Sequence, residues 1–177
     1  MESNIIMKNN NVEETIYDLI KSKKNHNIDE KKLPIYDSSN FPIINVKFST
    51  TLDRPGFDFF IKKWLEYYSF KTDFTFIFDL QNLTWVNPSY SLLVVKFMKL
   101  LRKHISELSY LKTSIMIINN NFLRGLMFKV FQLQPPISHI YLVSNKEHAK
   151  KIAEGDILAK KFSVNIPPNT LLNQTNK

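Results

Sequence analysis

The chain has 177 residues, of which 44% are hydrophobic, and it carries a formal net charge of +8 with no cysteine. This length can bury one hydrophobic core and is short for two, so we expect a single domain with tails. Without cysteine, disulfides, thiolate metal ligands and a cysteine nucleophile are excluded, which is compatible with a reducing compartment.

Residues 1–40 are predicted to be a polar leader. Within it, Val12, Ile16, Leu19 and Ile20 share one helical face, which indicates a short amphipathic helix that packs on the domain or on a partner. The apolar stretch of the leader is too short for a signal peptide, and no apolar run in the chain reaches the roughly 18 residues that span a bilayer. We therefore expect a soluble, cytoplasmic protein without a transmembrane segment.

The domain begins with one predicted strand and one predicted helix. Residues 43–50 predict a strand in which the apolar Ile44 and Val46 alternate with polar residues such as Asn45. Because this alternation indicates that one face of the strand is exposed to solvent, we expect an edge strand. Residues 57–68 predict a helix, because apolar side chains recur at spacings of three and four. The stripe consists of Phe57, Phe60, Ile61, Trp64, Leu65 and Tyr68.

The next strand and helix are predicted to be more deeply buried. Residues 74–80 are apolar almost without a break, which is typical of a central strand covered on both faces. Asn87 and Pro88 then form a typical helix start, with an N-cap residue followed by proline at the first helical position. We expect the helix over residues 89–103 to be largely buried, with one row of lysines in water.

The remaining elements continue the same order. A third strand is predicted at residues 114–118, followed by a helix that starts near Phe122 and ends before a Pro-Pro step. A fourth strand at residues 140–143 precedes a capping box, Ser-Asn-Lys-Glu, that opens a helix over residues 148–154. Gly155 is placed to end that helix.

This alternation of strands and helices predicts an α/β fold. We expect a four- to five-stranded, mostly parallel or mixed sheet packed by about four helices, because helical crossovers join successive parallel strands. Residues 41–155 are assigned to this domain. Residues 156–177 are predicted to be a C-terminal tail, since they contain a second Pro-Pro step and little periodicity.

The sequence lacks the patterns that common chemistries require. The three glycines are far apart, so a dinucleotide-binding fingerprint and a phosphate loop are excluded, and there is no nucleophile elbow. The four histidines lack the spacing of metal ligands. We therefore predict no cofactor, no metal site and no catalytic site. The glycines are Gly56, Gly125 and Gly155, and the histidines are His26, His104, His139 and His148.

Three positions are candidates for a role outside the core. Asp79 ends the second strand, where ligand crevices of open α/β sheets lie, although we favour a turn residue that accepts backbone amides. Ser89 could accept a phosphate at the start of its helix, or serve only as a helix-start residue. Phe128 lies at the margin of its helix's buried face, where it could anchor a partner or an acyl chain, or simply border the core. That buried face is predicted to consist of Phe122, Leu123, Leu126, Met127, Val130 and Phe131.

Two segments of the chain carry a resemblance to a known family. The segment FTFIFDLQNLTWVNPSYSLLVVKFMKLLRK, followed by SIMIINNNFLRGLMFKVFQLQPPISHIYLVSNKEHAKKI, resembles the STAS-like domains. That group includes the bacterial anti-sigma-factor antagonists and is similar in fold to the CRAL-TRIO lipid-transfer domains. The resemblance covers residues 41–154 and implies a domain without catalytic residues that works by protein contact or by holding a small ligand.

The resemblance also bears on a regulatory position. In the antagonists, a serine at the start of the second helix, within an Asp-Ser-Ser-Gly pattern, is phosphorylated to switch partner binding. The corresponding stretch here is Asn87-Pro88-Ser89-Tyr90, in which the serine matches and the acidic residue and the glycine are missing. The resemblance thus implies Ser89, with Asn87 beside it, as a possible regulatory or interaction position.

We expect a non-enzymatic STAS-like regulatory or protein-interaction module with an unidentified protein partner. Its surface would be the end of the sheet that bears Asp79 to Ser89. One alternative is a carrier of a lipid or a small apolar ligand, suggested by the phenylalanine-rich helices. Another is peripheral binding to anionic membranes through the leader and its lysines. Nucleic acid is not favoured, because the lysines are scattered and form no basic footprint.

Overall fold

The structure, a computed structural model, describes residues 29–103, 109–161 and 163–168. Its strands are β1 (Ile35–Asp37), β2 (Ile43–Lys47), β3 (Thr51–Leu52), β4 (Phe74–Asp79), β5 (Trp85–Val86), β6 (Leu111–Ile117), β7 (His139–Val143) and β8 (Val164–Ile166). Its helices are α1 (Arg54–Glu66), α2 (Ser89–Lys103), α3 (Asn121–Leu133), α4 (Lys146–Ala153) and α5 (Ile157–Lys161). The leader helix predicted around Ile16 lies outside the described residues.

The main sheet has six strands in the order β1-β2-β4-β6-β7-β8. The four inner strands are parallel to one another, and β1 and β8 pair antiparallel at the two edges. The predicted α/β class with a mixed sheet is confirmed. The sheet extends past the predicted domain bounds, because β1 comes from the segment assigned to the leader and β8 from the segment assigned to the tail. Strands β3 and β5 form a separate two-stranded parallel sheet.

The two faces of the main sheet are covered unequally. On one face α1, α2 and α3 enclose the larger part of the core. The other face is covered by α4, which packs on β4, β6 and β7, while α5 packs against α4 and adds Ala159 to the smaller cluster. Strand β6 shows the division, because Leu111 and Met116 belong to the larger cluster while Ile115 and Ile117 belong to the smaller one. Among the residues that the structure describes, this unequal cover leaves part of β1 and β2 without a helix above it.

Aromatic side chains fill much of the larger cluster. The ring of Phe76 in β4 is fully buried and stacks on Phe78, with a centroid separation of 5.1 Å. Phe74 and Trp64 meet the same ring edge-on at 5.2 and 5.3 Å. Such edge-to-face contacts add to the energy of burial, so β4 and α1 are locked together by ring packing. The predicted central position of β4 is confirmed.

The alternation predicted for β2 is confirmed, but the edge position inferred from it is wrong. Ile44 and Val46 are fully buried, whereas Asn45 is half-buried and Lys47 is exposed. Strand β1 covers the edge that we expected to be free. The second face of β2 is partly exposed because no helix of the described segments covers the sheet at this place. Alternation alone does not distinguish an open face from an open edge.

The amino ends of two helices differ from the prediction. Helix α1 begins at Arg54, where the Oδ1 atom of Asp53 accepts a hydrogen bond from the amide of Gly56 at 2.9 Å. For α4, the predicted capping box is wrong, because Asn145 is the N-cap and accepts from the amide of His148 at 2.8 Å. Asparagine and serine are about equally preferred at the N-cap, so residue type alone does not distinguish Asn145 from the adjacent Ser144.

The carboxyl end of α4 is as predicted. Gly155 has a φ of 95°, a conformation that glycine adopts without steric cost. Its amide donates to the carbonyl of Ile152 at 3.1 Å, and the amide of Asp156 donates to the carbonyl of Lys151 at 2.9 Å. This pair of bonds is the Schellman motif, which satisfies the last carbonyls of a helix. In the part of the chain that the structure covers, no helix is both long and apolar enough to cross a membrane.

Candidate functional site

The four parallel strands end together at one edge of the main sheet. Their last residues, Lys47, Asp79, Ile117 and Val143, are aligned in register across the sheet. The loops that follow these strands therefore lie side by side, as the carboxyl ends of parallel strands do in open α/β sheets. We call this region the carboxyl edge. It contains three of the four candidate positions.

Asp79 is held by two donors at this edge. Its side chain is only 12% exposed, and its Oδ2 atom lies 2.8 Å from the Nζ of Lys146 at the start of α4. Its Oδ1 atom accepts a hydrogen bond from the amide of Gln81 at 3.2 Å, the kind of bond that the sequence predicted. The Gln81 side chain donates in turn to the carbonyl of Ser144 at 3.4 Å. Asp79 thus joins the loop after β4 to the start of α4.

The Lys146 partner was missed by the sequence reasoning. Residues 79 and 146 are brought together only because β4 and β7 both flank β6. The Lys146 side chain is 65% exposed, so solvent screens the pair and its net contribution to stability is small, about 1 kcal/mol or less. The pair positions the loop more than it stabilises the fold.

Asn87 and Ser89 form the start of α2. Helix α2 covers Ser89–Lys103, as predicted, although Pro88 precedes its first residue instead of occupying the first helical position. The Oδ1 atom of Asn87 accepts from the Ser89 amide at 3.0 Å. The Ser91 hydroxyl donates to the carbonyl of Pro88 at 2.5 Å and tightens the same turn. The Ser89 side chain is exposed. Its hydroxyl is therefore accessible to a modifying enzyme at the positive end of a helix dipole.

The start of α2 lies against the start of α1. The rings of Tyr90 and Phe57 are 5.2 Å apart. Burial in this contact raises the pKa of Tyr90, while the positive charge of Arg54 opposes the shift. Arg54 also pairs with Asp58, with 2.7 Å between Nε and Oδ1. Charged groups of α1 thus lie close to the turn that carries Ser89.

Two exposed aromatic residues lie at the same edge. Trp85 in β5 is 52% exposed, and Phe122 in the first turn of α3 is 53% exposed. Asn120 connects their segments, because its Nδ2 atom donates to the carbonyl of Thr84 at 3.4 Å while its Oδ1 atom accepts from the Phe122 amide at 2.9 Å. Large apolar rings held in water by fixed backbone are typical of recognition surfaces. We call Trp85 and Phe122 the aromatic pair.

Two of the three phenylalanines of α3, Phe128 and Phe122, differ in how well they match the prediction. Phe128 is 37% exposed and lies at the margin of the buried face, as expected. Phe122 was predicted to be buried, and this is wrong. It belongs to the first turn of α3, which follows the end of β6 by only a few residues and lies beyond the sheet. The sequence reasoning missed Trp85, although a tryptophan in the loop segment QNLTWVN is a signal that could have found it.

The histidines of the described segments have structural partners. His139 stacks on Tyr141 with a centroid separation of 6.4 Å, and the Nε2 atom of His148 lies 2.7 Å from the carbonyl of Ala159. Within the described ranges, no three histidine, aspartate or glutamate side chains come together as metal ligands would.

A narrow apolar cavity lies between the main sheet and helices α1, α2 and α3. Its volume is about 120 Å³, and its walls are almost entirely hydrocarbon and aromatic. Trp64, Phe97, Met116, Leu123 and Phe131 are among the residues that line it. Apolar cavities of this size stay dry and accept small apolar molecules.

Comparison with protein-family models, curated proteins and solved structures found no match for this chain.

Proposed function

We propose that this chain is a non-enzymatic STAS-like interaction module that binds a protein partner through the carboxyl edge. The aromatic pair is the observation that carries the proposal, because two large rings half-exposed at one edge resemble the anchors of protein interfaces. Tryptophan and other aromatic residues are enriched among residues that dominate binding energy. The caps and turns around them hold the backbone in place, which lowers the entropy lost on binding.

The three polar candidates divide into two roles in this proposal. Asp79 and Asn87 shape the surface, since their oxygen atoms accept hydrogen bonds from the loop and helix amides beside them. Ser89 is the regulatory position. A phosphate on its hydroxyl would lie at the positive end of the α2 dipole and add negative charge beside the partner surface.

The double substitution Trp85→Ala and Phe122→Ala tests the partner surface. Proteins that co-purify with the wild-type chain at physiological salt should be depleted more than about tenfold, because loss of even one anchor costs roughly 2 kcal/mol or more of binding energy. Quantitative mass spectrometry of the captured proteins measures this. The matched control is Ile157→Ala, which removes a strongly exposed apolar side chain from α5 on the other face of the sheet.

The outcome separates the alternatives. Unchanged capture by the double variant, with circular dichroism that shows a folded protein, would contradict the proposed surface. Equal depletion by the Ile157→Ala control would also contradict it, since the effect would not depend on the carboxyl edge. A Ser89→Glu variant added to the same experiment addresses regulation, and partner sets identical to wild type count against a phosphorylation switch.

A second candidate function is the carriage of a small apolar ligand, which the apolar cavity favours. A volume of about 120 Å³ is close to that of the engineered cavities that hold benzene or xenon. A long acyl chain would need helices α1 to α3 to separate from the sheet. The candidate ligand is therefore a compact apolar molecule.

Thermal unfolding with benzene tests the carrier. A ligand present at 100 times its dissociation constant adds about 2.7 kcal/mol to the stability of the folded state, so the unfolding midpoint should rise by several degrees. Val94→Phe fills space at the cavity wall and should abolish the rise. No rise for the wild-type chain, or a rise of the same size in Val94→Phe, would exclude the carrier. Native mass spectrometry after gentle purification would show whether a ligand is retained.

A further inference from the structure

The segments around the aromatic pair at the carboxyl edge contain no charged residue. Residues 48–52 follow β2, residues 80–95 follow β4, and residues 113–123 run from β6 into α3, and none of these residues is Asp, Glu, Lys, Arg or His. Elsewhere in the described chain, nearly half of the exposed residues are Asp, Glu, Lys or Arg. We call the exposed side chains of the three segments the neutral surface. Besides the aromatic pair, they include Asn82, Thr84, Ser89, Asn119 and Asn121.

Hydrogen bonds join the three segments into one surface. The Thr84 amide donates to the carbonyl of Thr50 at 3.0 Å, and the Nδ2 atom of Asn120 donates to the carbonyl of Thr84 at 3.4 Å. The Leu80 amide donates to the carbonyl of Ile117 at 3.1 Å. Because β2, β4 and β6 are neighbours and adjacent strands lie about 4.8 Å apart, these loops form a strip about 10 Å wide. Such a strip suits a short segment of a partner, since a folded partner buries about 800 Å² on each side.

The charged groups that border the neutral surface are bonded to other parts of the chain. Asp53 accepts a hydrogen bond from a backbone amide of α1 at 2.9 Å, and Arg54 pairs with Asp58 at 2.7 Å. Arg124 is partly buried, and its Nη2 atom donates to the carbonyl of Ile118 at 3.1 Å. These contacts direct the charges of α1 and α3 toward the protein itself.

The positive charge of the chain is concentrated elsewhere. The formal net charge is +8, but the exposed lysines of α2 are Lys96, Lys99 and Lys103, which follow the neutral surface along the helix. Lys47 and Lys146 line a groove on the second face of the sheet. The absence of charge around the aromatic pair is therefore local and does not reflect the composition of the chain.

A surface without charge selects a partner without charge. A charged side chain that is buried against it loses its water and gains no opposite charge, which costs free energy. Amide and hydroxyl groups, in contrast, can donate to or accept from a peptide backbone. Rigid aromatic anchors among adaptable polar groups are the composition of antibody paratopes, and charged residues are depleted at the core of protein interfaces.

We propose that the neutral surface binds a short, uncharged peptide segment of the partner, with Trp85 and Phe122 as its anchors. This inference rests on the proposed function, since it names the chemistry of what the carboxyl edge binds. Amide side chains such as Asn82 and Asn119 hydrogen-bond the backbone of the segment. Because no ion pair contributes, binding depends little on salt concentration.

A displayed library of random short peptides tests the chemistry of the segment. Peptides are selected on the immobilised full-length chain at physiological salt, and those that the Trp85→Ala and Phe122→Ala double variant no longer retains are sequenced. These pair-dependent peptides should contain at least about twofold fewer charged residues than the unselected library. Pair-dependent peptides that are rich in charge of either sign would overturn the inference, and so would the lack of any pair-dependent peptide.

A synthetic copy of a selected peptide then separates neutral from charged recognition. Its dissociation constant, measured by fluorescence anisotropy, should change less than about twofold between about 50 and 500 mM sodium chloride. Asn119→Lys and Asn119→Glu should each weaken binding by about tenfold, because either charge would be desolvated without a partner. The matched control is Lys99→Glu, an exposed position outside the neutral surface, which should leave the dissociation constant unchanged. Opposite effects of the two Asn119 substitutions, or a tenfold loss of affinity at the higher salt, would contradict an uncharged segment.

These failures differ from a failure of the proposed function. If the double alanine variant captures the same cellular proteins as wild type, the carboxyl edge is not the partner surface and this inference falls with it. If that capture depends on the aromatic pair but no peptide does, or an uncharged oligosaccharide binds instead, the partner surface stands and the peptide segment is wrong.

Discussion

Replacing Phe76 with alanine should lower the free energy of unfolding by about 3–5 kcal/mol, the range for large aromatic truncations in cores. The ring is fully buried at the centre of the sheet. It contacts Phe78 at 5.1 Å, Phe74 at 5.2 Å and Trp64 at 5.3 Å, so its removal leaves a cavity and breaks several ring pairs at once. A loss of this size is a large part of the total stability of a small domain.

Urea titration followed by tryptophan fluorescence measures this loss, because Trp64 lies directly against the Phe76 ring. Phe122→Ala is the matched control and should change the unfolding free energy by less than about 1 kcal/mol, since half of that ring is already in water. If Phe76→Ala prevents folding, Phe76→Leu keeps a branched apolar side chain and should show a smaller loss. Equal effects of Phe76→Ala and Phe122→Ala would mean that β4 is not central.

The parts of the fold that the sequence predicted are those with strong local patterns. The stripe of α1 and the apolar run of β4 each determine burial by residue type alone, and both are where the patterns indicate. Strands β1 and β8 have three residues each, too few for an alternation to be visible. Their place in the sheet depends on pairing with β2 and β7, which is a tertiary contact that composition does not encode.

The sequence predicted the location of the candidate residues better than the contacts that they make. The carboxyl edge follows from the strand order, and Asp79, Asn87 and Ser89 all lie there. The contact between Asp79 and Lys146 joins residues far apart in sequence, so no spacing rule could reveal it. Helical periodicity predicts burial only where another element packs on the helix. Phe122 is exposed because the first turn of α3 extends beyond the sheet that would cover it.

Alkaline pH should destabilise the protein through two tyrosines of the core, the partly buried Tyr36 and the buried Tyr68. Burial raises the pKa of Tyr36 well above its usual value, and the nearby Tyr67 and Glu66 raise it further. Burial also raises the pKa of Tyr68, although the Trp64 indole N–H that donates to its oxygen acts in the opposite direction. The Tyr36 hydroxyl donates to the carbonyl of Phe60 at 2.9 Å, which fixes its ring in the core.

The sign follows from proton binding in the two states. An unfolded tyrosine loses its proton near pH 10, whereas the folded forms of Tyr36 and Tyr68 keep theirs to higher pH. The unfolded state therefore binds fewer protons in this window, and stability must fall as the pH rises. The contribution of each tyrosine to the free energy of unfolding is fully present below about pH 10. Above it, this contribution should fall by about 1.4 kcal/mol per pH unit until the pKa of the folded form is reached.

Chemical denaturation between pH 9 and about pH 11.5 measures this decline, a window set by the unfolded tyrosine pKa. The double variant Tyr36→Phe and Tyr68→Phe should be less stable than wild type at pH 9, because it loses the hydrogen bond to Phe60 and the acceptor for Trp64. Above about pH 10 the stability of the wild type should fall with pH more steeply than that of the double variant. The difference between the two slopes should be about 2.7 kcal/mol per pH unit. The two stability curves should therefore converge or cross. Parallel curves up to pH 11.5 would show that neither hydroxyl is buried, and the packing of α1 on β4 would then be incorrect.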